Sequence, residues 1–220
     1  MTISKRIDVV TEIPISYRHA FLPAPQSLKI EITSRCNLSC SFCVKSLIED
    51  DQDMDRALYS RVIREAHEFG VKELGVFFVG ESFTCKWLPA AIKEAKEVGF
   101  EYVFLTTNGG AATERSLYEC MAAGLDSLKF SLNFYSEDQF AEIARAPRPL
   151  WRRAIENVKA AKRIKDDHDF KCGIYASSIA FDGEQGRKMQ AVIDEVKPFL
   201  DEHYFLPLFG MNGASSASGM

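Results

Sequence analysis

SLKIEITSRCNLSCSFC, residues 27–43, runs a strand into a metal-binding pattern. Leu28, Ile30 and Ile32 alternate with Lys29, Glu31 and Thr33, the period of a strand with one apolar face. Two residues later come Cys36, Cys40 and Cys43, spaced C-x3-C-x2-C. A disulfide uses two sulfurs, and a structural zinc normally uses four ligands. Three thiols directly after a strand point to a metal site with an open position. The residues alone leave two occupants: a zinc completed by a distant Cys or His, or an iron–sulfur cluster, since thiolates select both.

Outward from this stretch the chain alternates. Asp55 is placed to cap a helix carrying Leu58, Val62, Ala66 and Phe69 on one face, with Gly70 as its stop. ELGVFFVGE (73–81) reads as a strand, LPAAIKEAKEVG (88–99) as a helix with Pro89 in its first turn, and EYVFLTTN (101–108) as a strand. A helix over roughly 113–123 stops at Gly124, and SLKFSLN (127–133) alternates as a strand again. Residues 149–165 form a basic and apolar helix, KCGIYASSI (171–179) a strand, 184–200 a helix, and EHYFLPLF (202–209) a last strand. Six strands alternating with helices imply an α/β fold with parallel strands and right-handed crossovers. Residues 1–26, with three prolines and no period, read as an extended lead-in. Residues 27–209 form the core domain, and the small polar stretch 210–220 is a flexible tail or a truncation point.

The composition narrows the function classes. The 220 residues are 46% hydrophobic, enough for one sizeable core. Net charge is −4, with no basic run, which argues against nucleic acid as the main partner. No apolar run approaches the roughly 20 residues of a membrane span. MTISKRIDVV lacks the apolar core of a signal peptide, so a reducing cytoplasm is the expected home and disulfides are not expected. Cys120 and Cys172 read as small buried apolar residues.

The strand 127–133 is unusual for a parallel sheet, whose strands are normally apolar on both faces. Leu128, Phe130 and Leu132 form one face, and Ser127, Lys129, Ser131 and Asn133 the other. The polar face has two readings. Lys129 and Glu31 could pair inside the fold, or Ser131 and Asn133 could hydrogen-bond a ligand at the C-terminal end, where ligands bind in such folds.

Four ordered landmarks carry a family resemblance. CNLSCSFC (36–43), VGES (79–82), TTNGG (106–110) and GLDSLKFSLN (124–133) resemble the cluster motif, the Gly-Gly-Glu motif, the third-strand end and the fourth-strand segment of the radical S-adenosylmethionine (radical SAM) enzymes. The pattern is most similar to the branch carrying a C-terminal SPASM or twitch extension, and the resemblance covers roughly residues 27–208. One departure is Val79, where the first glycine usually stands.

The resemblance implies an open (β/α)6 partial TIM barrel with a 4Fe–4S cluster on Cys36, Cys40 and Cys43. It implies S-adenosylmethionine chelated to the cluster's fourth iron and cleaved to a 5′-deoxyadenosyl radical that abstracts hydrogen from a peptide, sugar or other small metabolite. It places the backbone of Phe42 at the adenine, Gly80 and Glu81 at the methionyl amine, Ser131 and Asn133 at the ribose, and Asn108 nearby. It offers Arg145 to neutralise the carboxylate, and the alternative reading is an exposed arginine at a helix end. Cys85 is either a packed residue at a helix start or a hydrogen donor to the site. An electron donor such as a flavodoxin or ferredoxin is the implied partner. The other class of function is an iron–sulfur or zinc protein that carries electrons or acts as a scaffold without turnover.

Overall fold

A computed structural model of the chain describes Ile15 and residues 22–48, 51–181 and 183–207. Most of the expected lead-in and the whole expected tail lie outside the described residues.

Six strands form one sheet: β1 (Ser27–Lys29), β2 (Glu73–Gly75), β3 (Tyr102–Thr107), β4 (Ser127–Ser131), β5 (Gly173–Ile179) and β6 (Glu202–Leu206). They lie in the order β1-β2-β3-β4-β5-β6, and every pair is parallel. The connecting helices are α1 (Arg56–Glu68), α2 (Leu88–Val98), α3 (Glu114–Ala122), α4 (Glu137–Ala144), α5 (Pro149–Asp167) and α6 (Gly183–Val196). A sequential order with right-handed crossovers puts all helices on one face and curls the sheet with the other face inward. The order has two ends, so the sheet is open. This is the expected (β/α)6 architecture.

The burial pattern follows from that layout. Along β3, Val103, Leu105 and Thr107 are buried, whereas Tyr102, Phe104 and Thr106 are only half-buried. Leu128 and Phe130 on β4, and Ile174 and Ala176 on β5, join the same buried face against the helices. The core therefore lies between sheet and helices. The inward face keeps Lys129, Ser131 and Tyr175 half-buried.

The helix signals act through identifiable groups. The Asp55 carboxylate accepts from Leu58 N at 2.8 Å, which satisfies one of the orphan N–H groups of α1. Gly70 and Gly124 take positive φ directly after α1 and α3. Thr113 and Ser116 cap α3 reciprocally.

Three expectations need correction. The strands at 27–34 and 73–81 are regular only over three residues each, because the chain beyond them turns into loops. Helix α4 was not anticipated, although Ser136 caps it by accepting from Gln139 N at 3.2 Å and Glu137 and Asp138 fill its first turn. The buried face of α1 is rotated by one residue. Tyr59 and Ile63 are buried, while Leu58 is 39% and Phe69 81% exposed. Tyr59 wins the core position because its ring meets Trp87 edge-on at 5.3 Å and its hydroxyl donates to the Ala91 carbonyl at 2.8 Å.

That rotation has a direct test. Ile63→Ala should cost about 2–5 kcal/mol in urea unfolding, by cavity formation. Phe69→Ser should stay within about 0.5 kcal/mol, because little surface leaves the core.

Candidate functional site

The site forms where β1, β2, β3 and β4 end together. Beyond β1, Ile32 and Thr33 are buried, and the chain then crosses to the three cysteines. The cysteine loop is seated by backbone bonds to the end of α4: Ser39 N donates to Ala144 O and Ser41 N to Ile143 O, both at 2.9 Å. Leu38 is buried beneath it. At the loop's entry, Arg35 Nη2 donates to both carboxylate oxygens of Asp53, at 2.6 and 2.7 Å.

The loop after β2 lies directly against this segment. A Cβ at position 80 would fall 2.1 Å from the Thr33 carbonyl oxygen, so only glycine permits the approach. Glu81 N donates to Arg35 O at 2.7 Å. Glu31, two residues beyond β1, accepts from both Val79 N (2.8 Å) and Gly80 N (2.7 Å) through one oxygen. The Val79 departure from the family pattern is accommodated here, since the position contributes its N–H.

Glu81, expected at the methionyl amine, lies in the turn after β2. It is 3% exposed, and its carboxylate accepts from Phe83 N (3.1 Å), Thr107 Oγ1 (2.8 Å) and Asn108 N (2.8 Å). Burial pushes its carboxyl up, and these three donors oppose that shift. Its visible work is to tie the ends of β2 and β3 together.

Asn108 stands at the centre of the cluster of loops. Its side-chain amide donates to Asn37 Oδ1 at 2.8 Å and reaches Cys36 Sγ at 3.8 Å, while its oxygen accepts from Gly110 N at 2.8 Å. Asn108, Ser131, Asn133 and Leu38 line one small cavity with Phe134 and Trp151. Asn133 Oδ1 also accepts from Ile179 N at 3.2 Å, which fixes it at the end of β5. The Phe42 ring lies 6.5 Å from that of Phe134. Arg145 follows α4 with φ 51° and is exposed, beside the carbonyls that seat the cysteine loop. Cys85 is buried, with its thiol pushed up to about 11 by burial, and sits as a packed residue. Cys120 and Cys172 are likewise buried in the core.

All six cysteines are free thiols. Burial pushes Cys36 up to about 11 and Cys40 to about 12, so neither is a thiolate by itself at neutral pH. The surroundings nevertheless supply N–H donors to ligand sulfur: Asn108 to Cys36, and Lys45 N to Cys43 Sγ at 3.4 Å. Such contacts are the usual outer partners of cluster thiolates. No three His, Cys, Asp or Glu among the described residues close on a point that could hold a single metal ion. Thiols that each ligate a different iron need not do so. The donor set fits a cluster.

The Radical SAM superfamily model matches residues 30–195. The chain belongs to that superfamily. Membership implies a 4Fe–4S cluster and S-adenosylmethionine. A tungsten-containing aldehyde ferredoxin oxidoreductase cofactor-modifying protein from Pyrococcus furiosus is 34% identical over 109 residues, 48% of this chain and 30% of the relative. Streptococcus suis SuiB bound to its precursor peptide SuiA superposes with a TM-score of 0.69 at 20% identity, over 90% of this chain and 42% of SuiB. SuiB bound to S-adenosylmethionine gives 0.65 at 17% identity, over 88% and 42%. At these identities the structures show the fold. The chain spans less than half the length of these relatives.

Two inward residues carry more than the sequence showed. Among the described residues Glu31 forms no ion pair with Lys129; one of its carboxylate oxygens holds the Val79 and Gly80 amides. Period-two patterning placed Glu31 on the inward face, but the two N–H groups it meets are remote in sequence. Lys129 is left with its ammonium 5.9 Å over the Tyr204 ring, and burial, with Lys29 adding repulsion, lowers it to about 8.

Two predictions follow from these environments. Glu81→Gln should lower unfolding stability by about 1–3 kcal/mol, because its amide nitrogen would face an N–H or O–H donor. For Lys129 the folded value lies below the ordinary one, so its burial penalty is fully present below about pH 8 and fades as pH rises to about 10.5. Lys129→Met should therefore be more stable than wild type at pH 7, by on the order of 3 kcal/mol. The advantage should shrink steadily in denaturant titrations repeated toward pH 10.5.

Proposed function

We propose that this chain is the catalytic core of a radical SAM enzyme acting on a peptide or other small metabolite. The observation that carries the reading is the seating of the three-cysteine loop against the Gly80 turn and Asn108 at the ends of β1, β2 and β3. Cys36, Cys40 and Cys43 would hold the cluster. The chemistry supplied on loading is one-electron cleavage of S-adenosylmethionine to a 5′-deoxyadenosyl radical that takes a hydrogen atom from the substrate.

The chain's own residues then do the placing. Glu31 takes up the N–H groups of Val79 and Gly80, which leaves that turn's carbonyl oxygens to accept from a cationic amine. Ser131 and Asn133 offer hydroxyl and amide groups to the ribose hydroxyls, with Asn133 already oriented by Ile179 N. Phe42 offers backbone groups to the adenine, and Arg145 offers a cation to the methionyl carboxylate. Leu38, Phe134 and Trp151 wall the small cavity beside Asn133. The peptide option is supported by SuiB, a structural neighbour solved with a precursor peptide. A small electron donor, a flavodoxin or ferredoxin, and a reducing cytoplasmic setting complete the reading.

Anaerobic reconstitution with iron and sulfide tests it. Wild type should turn brown, and with dithionite and S-adenosylmethionine it should release 5′-deoxyadenosine. Cys36→Ala, Cys40→Ala and Cys43→Ala should each lose the colour, and Cys120→Ala and Cys172→Ala should keep it. A wild-type protein that takes up no iron, or takes it up without releasing 5′-deoxyadenosine, contradicts the proposal.

A further inference from the structure

The inward face of the sheet carries charges of both signs: by register, Glu73 and Glu202 share it with two lysines. Lys29 and Lys129 both lie on it, and Lys29 stands 5.5 Å over the Phe77 ring. The described carboxylates near this face have other contacts, and Glu73 accepts from Gln26 Nε2 at 3.0 Å. Glu31 holds two backbone amides, and Glu81 is enclosed by its three donors. Asp126 pairs with Lys96 at 2.9 Å and accepts from Val103 N. Asp201 pairs with Lys165 at 2.7 Å and accepts from Ile174 N. Among the described residues no ion pair or hydrogen bond holds the Lys129 ammonium. Burial lowers its pKa, and the like charge of Lys29 lowers it further. An enclosed ammonium with no ion pair or hydrogen bond is costly, and such groups are kept where they do work.

Its position indicates which work. Ser131, Ser177 and Tyr204 are level with one another in the sheet register. Lys129 lies two residues before Ser131 on the same face. Its ammonium stands 5.9 Å over the ring of Tyr204, the residue level with Ser131. The Tyr204 ring partly offsets the lost hydration by a cation–π contact and leaves the ammonium's N–H donors free.

We propose that Lys129 determines specificity by binding an anionic oxygen group of the substrate, a carboxylate or a phosphate, on the inward face below the ribose residues. The location of the substrate rests on the radical SAM reading above. The anion supplies the partner that the ammonium lacks among the described residues, so a neutral analogue leaves it enclosed and unpaired. The penalty is paid in selectivity: the substrate must carry the charge.

The test uses the reconstituted wild-type protein with S-adenosylmethionine bound. Calorimetric titration is run with malonate, inorganic phosphate and the neutral malonamide at matched ionic strength. At least one anion should bind and malonamide should not; which anion binds tighter identifies the group. Lys129→Met should weaken that binding about ten- to a hundredfold, and Lys129→Arg should hold it within a few fold. Should Lys129→Met fail to fold, Lys129→Gln replaces it. A measurement free of variants accompanies these: the bound anion should protect Lys129 of wild type from acetylation by acetic anhydride, read by peptide mass spectrometry. Failure of both anions to bind wild type, undiminished binding in Lys129→Met or Lys129→Gln, or undiminished acetylation at saturating anion overturns the proposal. Absence of 5′-deoxyadenosine from reduced wild type is a separate result, and it sinks the functional reading.

Discussion

The loops of the site are organised around one buried carboxylate, that of Glu81. Its two oxygens take up Phe83 N, Thr107 Oγ1 and Asn108 N, and its own N–H donates to Arg35 O. Three strand ends meet in this one residue. Enclosing a carboxylate is expensive unless its lone pairs are used, and here most of them are. The arrangement is therefore a cooperative unit: weakening one donor leaves a charge buried with fewer partners. Asn108 can address Cys36 because its backbone is held there, and the cysteine loop enters at a fixed place because Arg35 is held there.

Glu31 plays a complementary part at the rim. It withdraws two N–H groups from the turn after β2, so that turn presents acceptors. The Gly80 contact with Thr33 keeps the turn close enough for this to matter, since any side chain there would push β1 and β2 apart. Specific polar groups on rigid strand ends are what a precise cofactor site needs, and the strands supply them at one end of the sheet.

The fold was largely legible in the sequence because parallel α/β proteins write their pattern in strand–helix alternation. The period-two stretch at 127–133 carried its faces correctly over the strand Ser127–Ser131, since burial on the helix side selects apolar residues at every second position. Helix faces were less legible. On α1, Leu58 and Tyr59 compete for the core, and the outcome turns on an acceptor at Ala91, which local sequence does not show. Helix α4 was missed because eight residues give too short a period, although the Ser136 and Gln139 pair marked its start. At the site, the cysteine spacing and the Gly80 turn could be read directly. The partners of Glu31 and Glu81 could not, because each lies on another strand. Sequence could give the polarity of Lys129 but not that, among the described residues, no ion pair or hydrogen bond holds its ammonium.

The two hydrogen bonds that seat the cysteine loop on the end of α4 also set an order of events in synthesis. Ser39 and Ser41 find their acceptors about 100 residues later in the chain, at Ala144 and Ile143. At about 5–20 residues per second, the three thiols leave the ribosome several seconds or more before their seat exists. Until α4 is made they belong to an unsettled segment, open to oxidation and to stray metals. The loop becomes a site only once the second half of the sheet has begun to form, which separates the making of this protein from its loading.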